Sequence, residues 1–208
     1  MIQLDHIVVA ASTLEHGSQY LEKQLAVPLS PGGQHLGFGT HNRLLHLGSD
    51  VYLELIAVDP AQTELHHPIP FGLGTIDIQR SLIPGPRLIA WVTSTLDMSK
   101  ALLSDQDKIG KVVKMSRGDL NWTIRQRADA RPVSEGLPTI IDWGATAHPC
   151  TRLPDVGVRL SKLNLSVSVR AHSSLKQAFN DPRVFIKPAQ RPAIRAELQL
   201  QSGRRVFL

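Results

Sequence analysis

The chain has one cysteine, few aromatic residues and no long apolar run. Cys150 has no partner for an internal disulfide, which is typical of a reducing compartment, and we expect a cytoplasmic protein. No segment reaches the ~20 consecutive apolar residues that a membrane-spanning helix needs. The short apolar run near the start contains Asp5 and His6 and has no basic region before it, which indicates a strand and not a signal peptide. We therefore expect no membrane association.

Nucleic acid is not an expected partner. Aromatic residues make up only 5% of the chain, which leaves little surface for base stacking, and the lysines and arginines are scattered. The net charge of +5 is compatible with a preference for a small anionic molecule. The 208 residues are enough for one large domain or two small ones.

The order of predicted elements repeats along the chain. A β-branched strand at residues 4–11, an amphipathic helix at about 13–25, a short extended piece at 27–29 and strands at 42–47 and 51–58 make a first β-α-β-β-β unit. The pattern restarts at residue 87 and again near residue 160, so units are predicted at about 1–60, 87–145 and 160–208. The second unit is predicted to contain a short helix from Leu96 to about Ser104. Residues 30–42 hold four glycines and a proline and predict a long loop, and residues 59–86 predict an irregular connector.

Residues 4–60 resemble the opening of the glyoxalase-like domain family of the vicinal-oxygen-chelate superfamily. The resemblance rests on Asp5-His6, Pro31-Gly32-Gly33 with His35, Gly39-Thr40 with Asn42, and Tyr52-Leu53-Glu54-Leu55-Ile56. It implies an α+β fold in which repeated βαβββ units form curved mixed sheets around a cleft, here within a single domain over residues 1–208. Members of this superfamily include isomerases, ring-cleaving dioxygenases, epimerases and proteins that only bind, so the fold does not fix the reaction.

His6 and Glu54 are the leading candidates for a functional site. Each lies in phase with apolar residues of a predicted strand, and a buried carboxylate costs several kcal/mol unless it is paired or bound to a metal. The resemblance implies that both are ligands of a divalent metal, such as Zn, Fe, Mn or Ni, with Glu54 also able to act as a base. Alternatively, His6 donates to a backbone carbonyl and Glu54 pairs with Arg43 or Arg125.

The sequence leaves several candidates for the third metal ligand. Aligning the units places a leucine opposite His6, whereas Asp142 lies roughly opposite Glu54. His148, which follows the second unit, and His35, on the glycine-rich segment, are further candidates. We expect His148 to complete the metal site. We expect contacts to substrate from a larger set: His35, Asn42, Arg43, Arg125 and Trp143.

Two functions follow from these residues. The first is a metal-assisted lyase, isomerase or dioxygenase that acts on a small anionic molecule in a cleft between units. The second is a non-catalytic binding or resistance-type protein that uses the same cleft without metal. A homodimer is a further expectation, because a third unit is left over once two units have formed a cleft.

Overall fold

A computed structural model of the protein describes residues 2–98, 110–127 and 134–208. Its first 58 residues form the predicted βαβββ unit: β1 Gln3–Ala10, α1 Leu14–Leu25, β2 Ser30–His35, β3 Thr40–His46 and β4 Tyr52–Val58. Helix α1 begins where the Thr13 side chain accepts a hydrogen bond from the His16 amide, and it ends at Ala26 in the left-handed conformation. Strand β1 pairs in parallel with β4, so the unit closes on its first strand.

The second unit continues the same sheet. It contains β5 Arg87–Ser94, β6 Lys111–Arg117, β7 Leu120–Gln126 and β8 Thr139–Asp142. Strand β5 pairs antiparallel with β1 and parallel with β8, which gives one eight-stranded sheet of order β2-β3-β4-β1-β5-β8-β7-β6. The helix predicted from Leu96 lies mostly outside the described residues.

Two local predictions were wrong. Residues 30–35 form strand β2 at the edge of the sheet, where proline and glycine are tolerated because the edge needs fewer ladder hydrogen bonds. A bulge between Pro31 and Gln34 brings the chain against β3, and a Cβ on Gly32 would lie 2.1 Å from Asn42 Oδ1. The connector also contains a short helix, α2 Ile76–Ser81, whose six residues are too few to show a helical pattern in the sequence.

The third segment has the same element order but a different pairing. Its elements are β9 Arg159–Val167, α3 Val169–Ala178, β10 Val184–Pro188, β11 Ala193–Gln199 and β12 Arg205–Phe207. They form a separate four-stranded sheet of order β10-β9-β11-β12. Here the first strand pairs in parallel with the strand that directly follows the helix, whereas in the first unit it pairs with the last strand.

The large sheet separates two apolar layers. Outward side chains such as Ile7, Val9 and Leu55 pack with α1 and with the small sheet, in one continuous core. Inward side chains such as Val8 and Ile56 belong to a second cluster on the concave face. The predicted α+β fold of curved, repeated units is thus confirmed. Among the described residues, no helix is long and apolar enough to cross a membrane.

Gly17 sets the distance between α1 and the sheet. A Cβ at this position would lie 2.6 Å from Ala11 Cβ and 2.7 Å from Leu55 Cδ1. Gly17→Ala gains about 1 kcal/mol of helix propensity, but overpacking a tight core costs about 1–3 kcal/mol. We expect net destabilisation in urea unfolding, and little change for Lys23→Ala on the exposed side of α1. A more stable Gly17→Ala variant would show that the helix can move away at low cost.

Candidate functional site

A partly open pocket lies on the concave face of the large sheet. It encloses about 680 Å³, counting the part that is open to solvent. Both units and the connector line it, and the lining contains aromatic and apolar side chains as well as titratable groups. The lining residues used below are His6, His35, Tyr52, Glu54, Phe71, Arg117, Trp122, Arg125, Arg127, Thr139, Ile141 and Trp143.

Glu54 lies at the centre of the polar side. Its Oε1 accepts a hydrogen bond of 2.6 Å from Asn42 Nδ2 and lies 4.0 Å from His35 Nε2. Its Oε2 lies 3.7 Å from His6 Nε2, which is too long for a hydrogen bond. Strand alternation explains the convergence, because Glu54 lies in phase with the inward Tyr52 and Ile56. The structure therefore brings together four of the predicted residues: His6, His35, Asn42 and Glu54.

Asn42 is held by four hydrogen bonds. Its Nδ2 donates to Glu54 Oε1 at 2.6 Å and to His35 Nε2 at 3.3 Å. Its Oδ1 accepts from the Gly33 amide and from Arg117 Nη1, each at 3.0 Å. Both donor protons and both lone pairs of the amide are used, which fixes its orientation. Asn42 thus positions Glu54 and ties it to Arg117 of the second unit.

His35 is a neutral member of this network. Burial lowers the pKa of His35 to about 4. The nearby Glu54 carboxylate raises this pKa and Arg117 lowers it, but burial is the largest of these effects. Because Nε2 accepts from Asn42, the ring proton lies on Nδ1, which contacts Thr40 Oγ1 at 2.9 Å. The ring edge faces Trp122, with centroids 5.8 Å apart. His35 therefore contributes a fixed, uncharged wall.

Asp5 joins the polar side to Trp143 and His148. Strand β1 has an extra residue at this point, since Leu4 pairs with Thr93 and His6 with Val92 of β5. Asp5 is buried, and its Oδ1 lies 2.6 Å from His6 Nδ1. Its Oδ2 accepts from Trp143 Nε1 at 2.9 Å and lies 3.3 Å from His148 Nε2.

These contacts keep Asp5 ionised. Burial by itself raises the pKa of the Asp5 carboxyl, but the contacts with His148 and His6 outweigh burial and hold this pKa well below its usual range. A carboxylate in this state can only accept hydrogen bonds, so the facing nitrogen of His6 carries a proton.

The arginines divide between the two faces of the sheet. Arg117, Arg125 and Arg127 line the pocket. Arg125 donates to the carbonyl oxygens of Gly110 and Met98, so its guanidinium is largely engaged with the backbone. Arg43 is not in the pocket: it alternates with Asn42 on β3 and lies 3.9 Å from both Glu15 and Glu22 of α1. The structure therefore does not bring Arg43 together with the other predicted substrate contacts.

The predicted ligands do not fit a divalent metal. His148 contacts Asp5 rather than Glu54. Asp142 lies on the opposite face from Thr139 and Ile141, which line the pocket, and it accepts from the Gly144 amide at 2.8 Å.

His35 and Glu54 are close, but the Asn42 amide, a hydrogen-bond donor, lies where a cation shared by them would sit. Within residues 2–98, 110–127 and 134–208, no three His, Cys, Asp or Glu side chains form a group that could hold a metal ion.

Sequence reasoning missed Asp5, Arg117 and Trp122. Regular alternation places Asp5 on the face opposite His6, and only the bulge in β1 brings the two side chains together. Arg117 and Trp122 belong to a hairpin in the second unit, and nothing in their spacing points to Asn42 or His35 of the first unit. Trp143 was predicted and does line the pocket, with its ring centroid 5.4 Å from that of Trp122.

The eight-stranded sheet with a pocket on its concave face defines a protein of the vicinal-oxygen-chelate class. The profile of the Glyoxalase-like domain family matches residues 4–179, and the chain belongs to this family. No curated protein matches the sequence.

The chain is similar to several solved structures at low sequence identity. A hypothetical protein from Staphylococcus aureus is 16% identical, with a TM-score of 0.54, and the alignment covers 100% of this chain and 85% of that one. A Streptomyces coelicolor methylmalonyl-CoA epimerase in complex with 2-nitronate-propionyl-CoA is 16% identical, with a TM-score of 0.42. The alignment covers 69% of this chain and 97% of that one. The Mycobacterium tuberculosis methylmalonyl-CoA epimerase is 17% identical, with a TM-score of 0.38 and coverage of 67% and 85%.

Proposed function

We propose that the pocket binds a small anionic molecule and that Glu54 exchanges a proton with it. The observation that carries this proposal is the position of Glu54: a buried carboxylate held by Asn42, with one oxygen facing His6, at the polar end of an aromatic pocket. A buried, oriented carboxylate of this kind is suited to acid–base chemistry.

The charge of the pocket supports an anionic ligand. Arg117, Arg125 and the Glu54 carboxylate line it, and burial keeps His35 neutral. The excess positive charge attracts a carboxylate or a phosphate, and arginine binds either in a two-pronged geometry. Trp122 and Trp143 offer flat apolar surfaces for the rest of the molecule.

The side chains support proton transfer as the reaction. Glu54 Oε2 and His6 Nε2 face each other across 3.7 Å without a direct hydrogen bond, so each is available to a bound molecule. Glu54 can remove a proton from carbon while negative charge develops on an adjacent oxygen, and Arg117 in the same pocket can stabilise that charge. Proton transfer of this kind is the chemistry of isomerases and lyases.

Binding and proton exchange can be tested together. The probes are small 2-oxo and 2-hydroxy carboxylates, each paired with its neutral amide, measured by thermal shift and by hydrogen–deuterium exchange. Exchange is followed at C3, next to the ketone, in the oxo acids and at C2, next to the carboxylate, in the hydroxy acids. We expect carboxylates, and not amides, to raise the melting temperature. A charged hydrogen bond contributes about 1.5–3 kcal/mol, so Arg117→Gln weakens binding roughly tenfold or more. Arg43→Gln, with the same loss of charge on the outer face, leaves binding unchanged.

The Glu54→Gln variant distinguishes an enzyme from a non-catalytic binding protein. We expect this variant to retain ligand binding and lose the exchange at carbon. Binding without exchange in the wild type would identify a non-catalytic binding protein that uses the same pocket. Equal loss of binding in Arg117→Gln and Arg43→Gln would contradict the proposed site. The cytoplasmic location, the single domain and the homodimer remain predictions; size-exclusion chromatography with light scattering tests the last.

A further inference from the structure

The Asp5 carboxylate contacts both units near the pocket. Its Oδ1 faces His6 of β1, and its Oδ2 faces Trp143 and His148, which follow β8. His148 Nδ1 accepts from the Cys150 amide, so a neutral His148 carries its proton on Nε2, toward Asp5. His148 Nε2 lies 3.3 Å from Oδ2 but does not form a hydrogen bond with it. The two hydrogen bonds to the Asp5 carboxylate come from His6 Nδ1 and Trp143 Nε1, in two distant parts of the chain. Asp5 does not line the pocket, and its effect there passes through its neighbours.

The Asp5 contact decides which nitrogen of His6 is presented to a ligand. Because Oδ1 accepts from Nδ1 at 2.6 Å, the proton of a neutral His6 lies on Nδ1. Nε2 is then the atom that faces Glu54 and the pocket. The same carboxylate fixes Trp143, whose indole would otherwise bury an N–H without a partner.

We infer that Asp5 is a positioning residue that sets the tautomer of His6 and the orientation of the Trp143 wall with a single carboxylate. This inference deepens the proposed function and rests on it for its role in turnover. The bulge in β1 is the structural cause, since it turns Asp5 to the side of the strand on which His6 lies. One residue thereby couples the proton-handling side of the pocket to its apolar wall.

Substitution of Asp5 by Asn tests this arrangement because an amide has only one oxygen. If the oxygen faces His6, the amide NH₂ opposes the Trp143 indole N–H. If the oxygen faces Trp143, the NH₂ opposes His6 Nδ1, and His6 must move its proton to Nε2. Asp59→Asn is a matched control: Asp59 is also buried, but it accepts from Gln34, Gln62 and the Ala61 amide outside the pocket.

The measurement is nitrogen-15 NMR of the histidine imidazoles and of the tryptophan indole N–H groups, on wild type and both variants. We expect wild-type His6 to be protonated on Nδ1. Asp5→Asn shifts His6 to the Nε2–H tautomer or moves the Trp143 indole resonance strongly, whereas Asp59→Asn does neither, even if it lowers stability equally. Both signals unchanged in folded Asp5→Asn would overturn the inference.

The wild type alone also tests the inference, so an unfolded Asp5→Asn variant does not leave it untested. A neutral wild-type His6 protonated on Nε2 would contradict it. These spectra require neither ligand nor turnover, and they therefore stand apart from the test of the proposed function. If the tautomer is as expected but no carboxylate binds, the proposed function fails and the positioning of His6 and Trp143 by Asp5 holds.

Discussion

Lowering the pH from 7 to 5 is expected to destabilise the protein by about 2 kcal/mol through His35 alone. Burial lowers the pKa of His35 to about 4, whereas an unfolded histidine titrates near 6.5. Below pH 6.5 the unfolded chain therefore binds a proton that the folded chain does not. The stabilisation is complete above pH 6.5, falls as the pH decreases, and levels off near pH 4.

Urea unfolding at a series of pH values measures this effect, and His35→Gln isolates it. The variant is expected to be less stable at pH 7 but to lose much less stability between pH 6.5 and 4. Asp5 does not obscure the comparison: its pKa is held well below the usual carboxyl range, so its own contribution is lost only at more acidic pH. A variant with the same pH dependence as the wild type would place the titrating group elsewhere.

Asn42→Asp is expected to destabilise the protein by about 3 kcal/mol at pH 7, the cost of placing an unpaired charge in a buried network. The substitution keeps the size of the side chain but removes both donors, and it places a second carboxylate 2.6 Å from Glu54 Oε1. Arg117 compensates in part, since it already donates to Oδ1. The two carboxyls relieve their repulsion by sharing a proton, so the folded variant retains a proton that the unfolded chain releases.

It follows that the deficit of Asn42→Asp grows with rising pH. Urea unfolding at pH 5 and 8, with wild type measured in parallel, gives the difference directly. Asn121→Asp is the control, because Asn121 lies on the exposed side of β7 and does not contact the pocket. A deficit in Asn42→Asp that is independent of pH would show that steric or hydrogen-bond losses, and not like charge, dominate.

Strand residues with unusual polarity were the most informative part of the sequence. His6 and Glu54 stand out because each interrupts an apolar strand in phase with core residues, and the structure places both in the pocket. Their placement follows from strand alternation on either side of the sheet pairing: His6 shares the inward face with Val8, after the bulge at Asp5, and Glu54 shares it with Ile56. The same alternation places Arg43 on the outer face, beside Glu15 and Glu22 of α1.

Contacts between the units could not be predicted from the sequence. His148 was assigned to a metal through resemblance, but the bulge in β1 turns Asp5 toward it instead. Arg117 and Trp122 approach the first unit only because β5 joins β1 in one sheet. Strand β2 was predicted as a loop because its glycines and proline disfavour a strand, whereas tertiary pairing with β3 overrides that preference.

The small C-terminal sheet changes what the pocket can tolerate. It packs with α1 on the outer face of the large sheet. Among the described residues, most buried apolar side chains lie in this outer layer and fewer lie in the layer around the pocket. Substitutions on the concave face therefore leave intact the larger apolar layer, which stabilises the fold. A lineage with this architecture can exchange pocket residues for a new ligand while its outer layer keeps the fold intact, and the identity of the ligand can diverge faster than the shape of the protein.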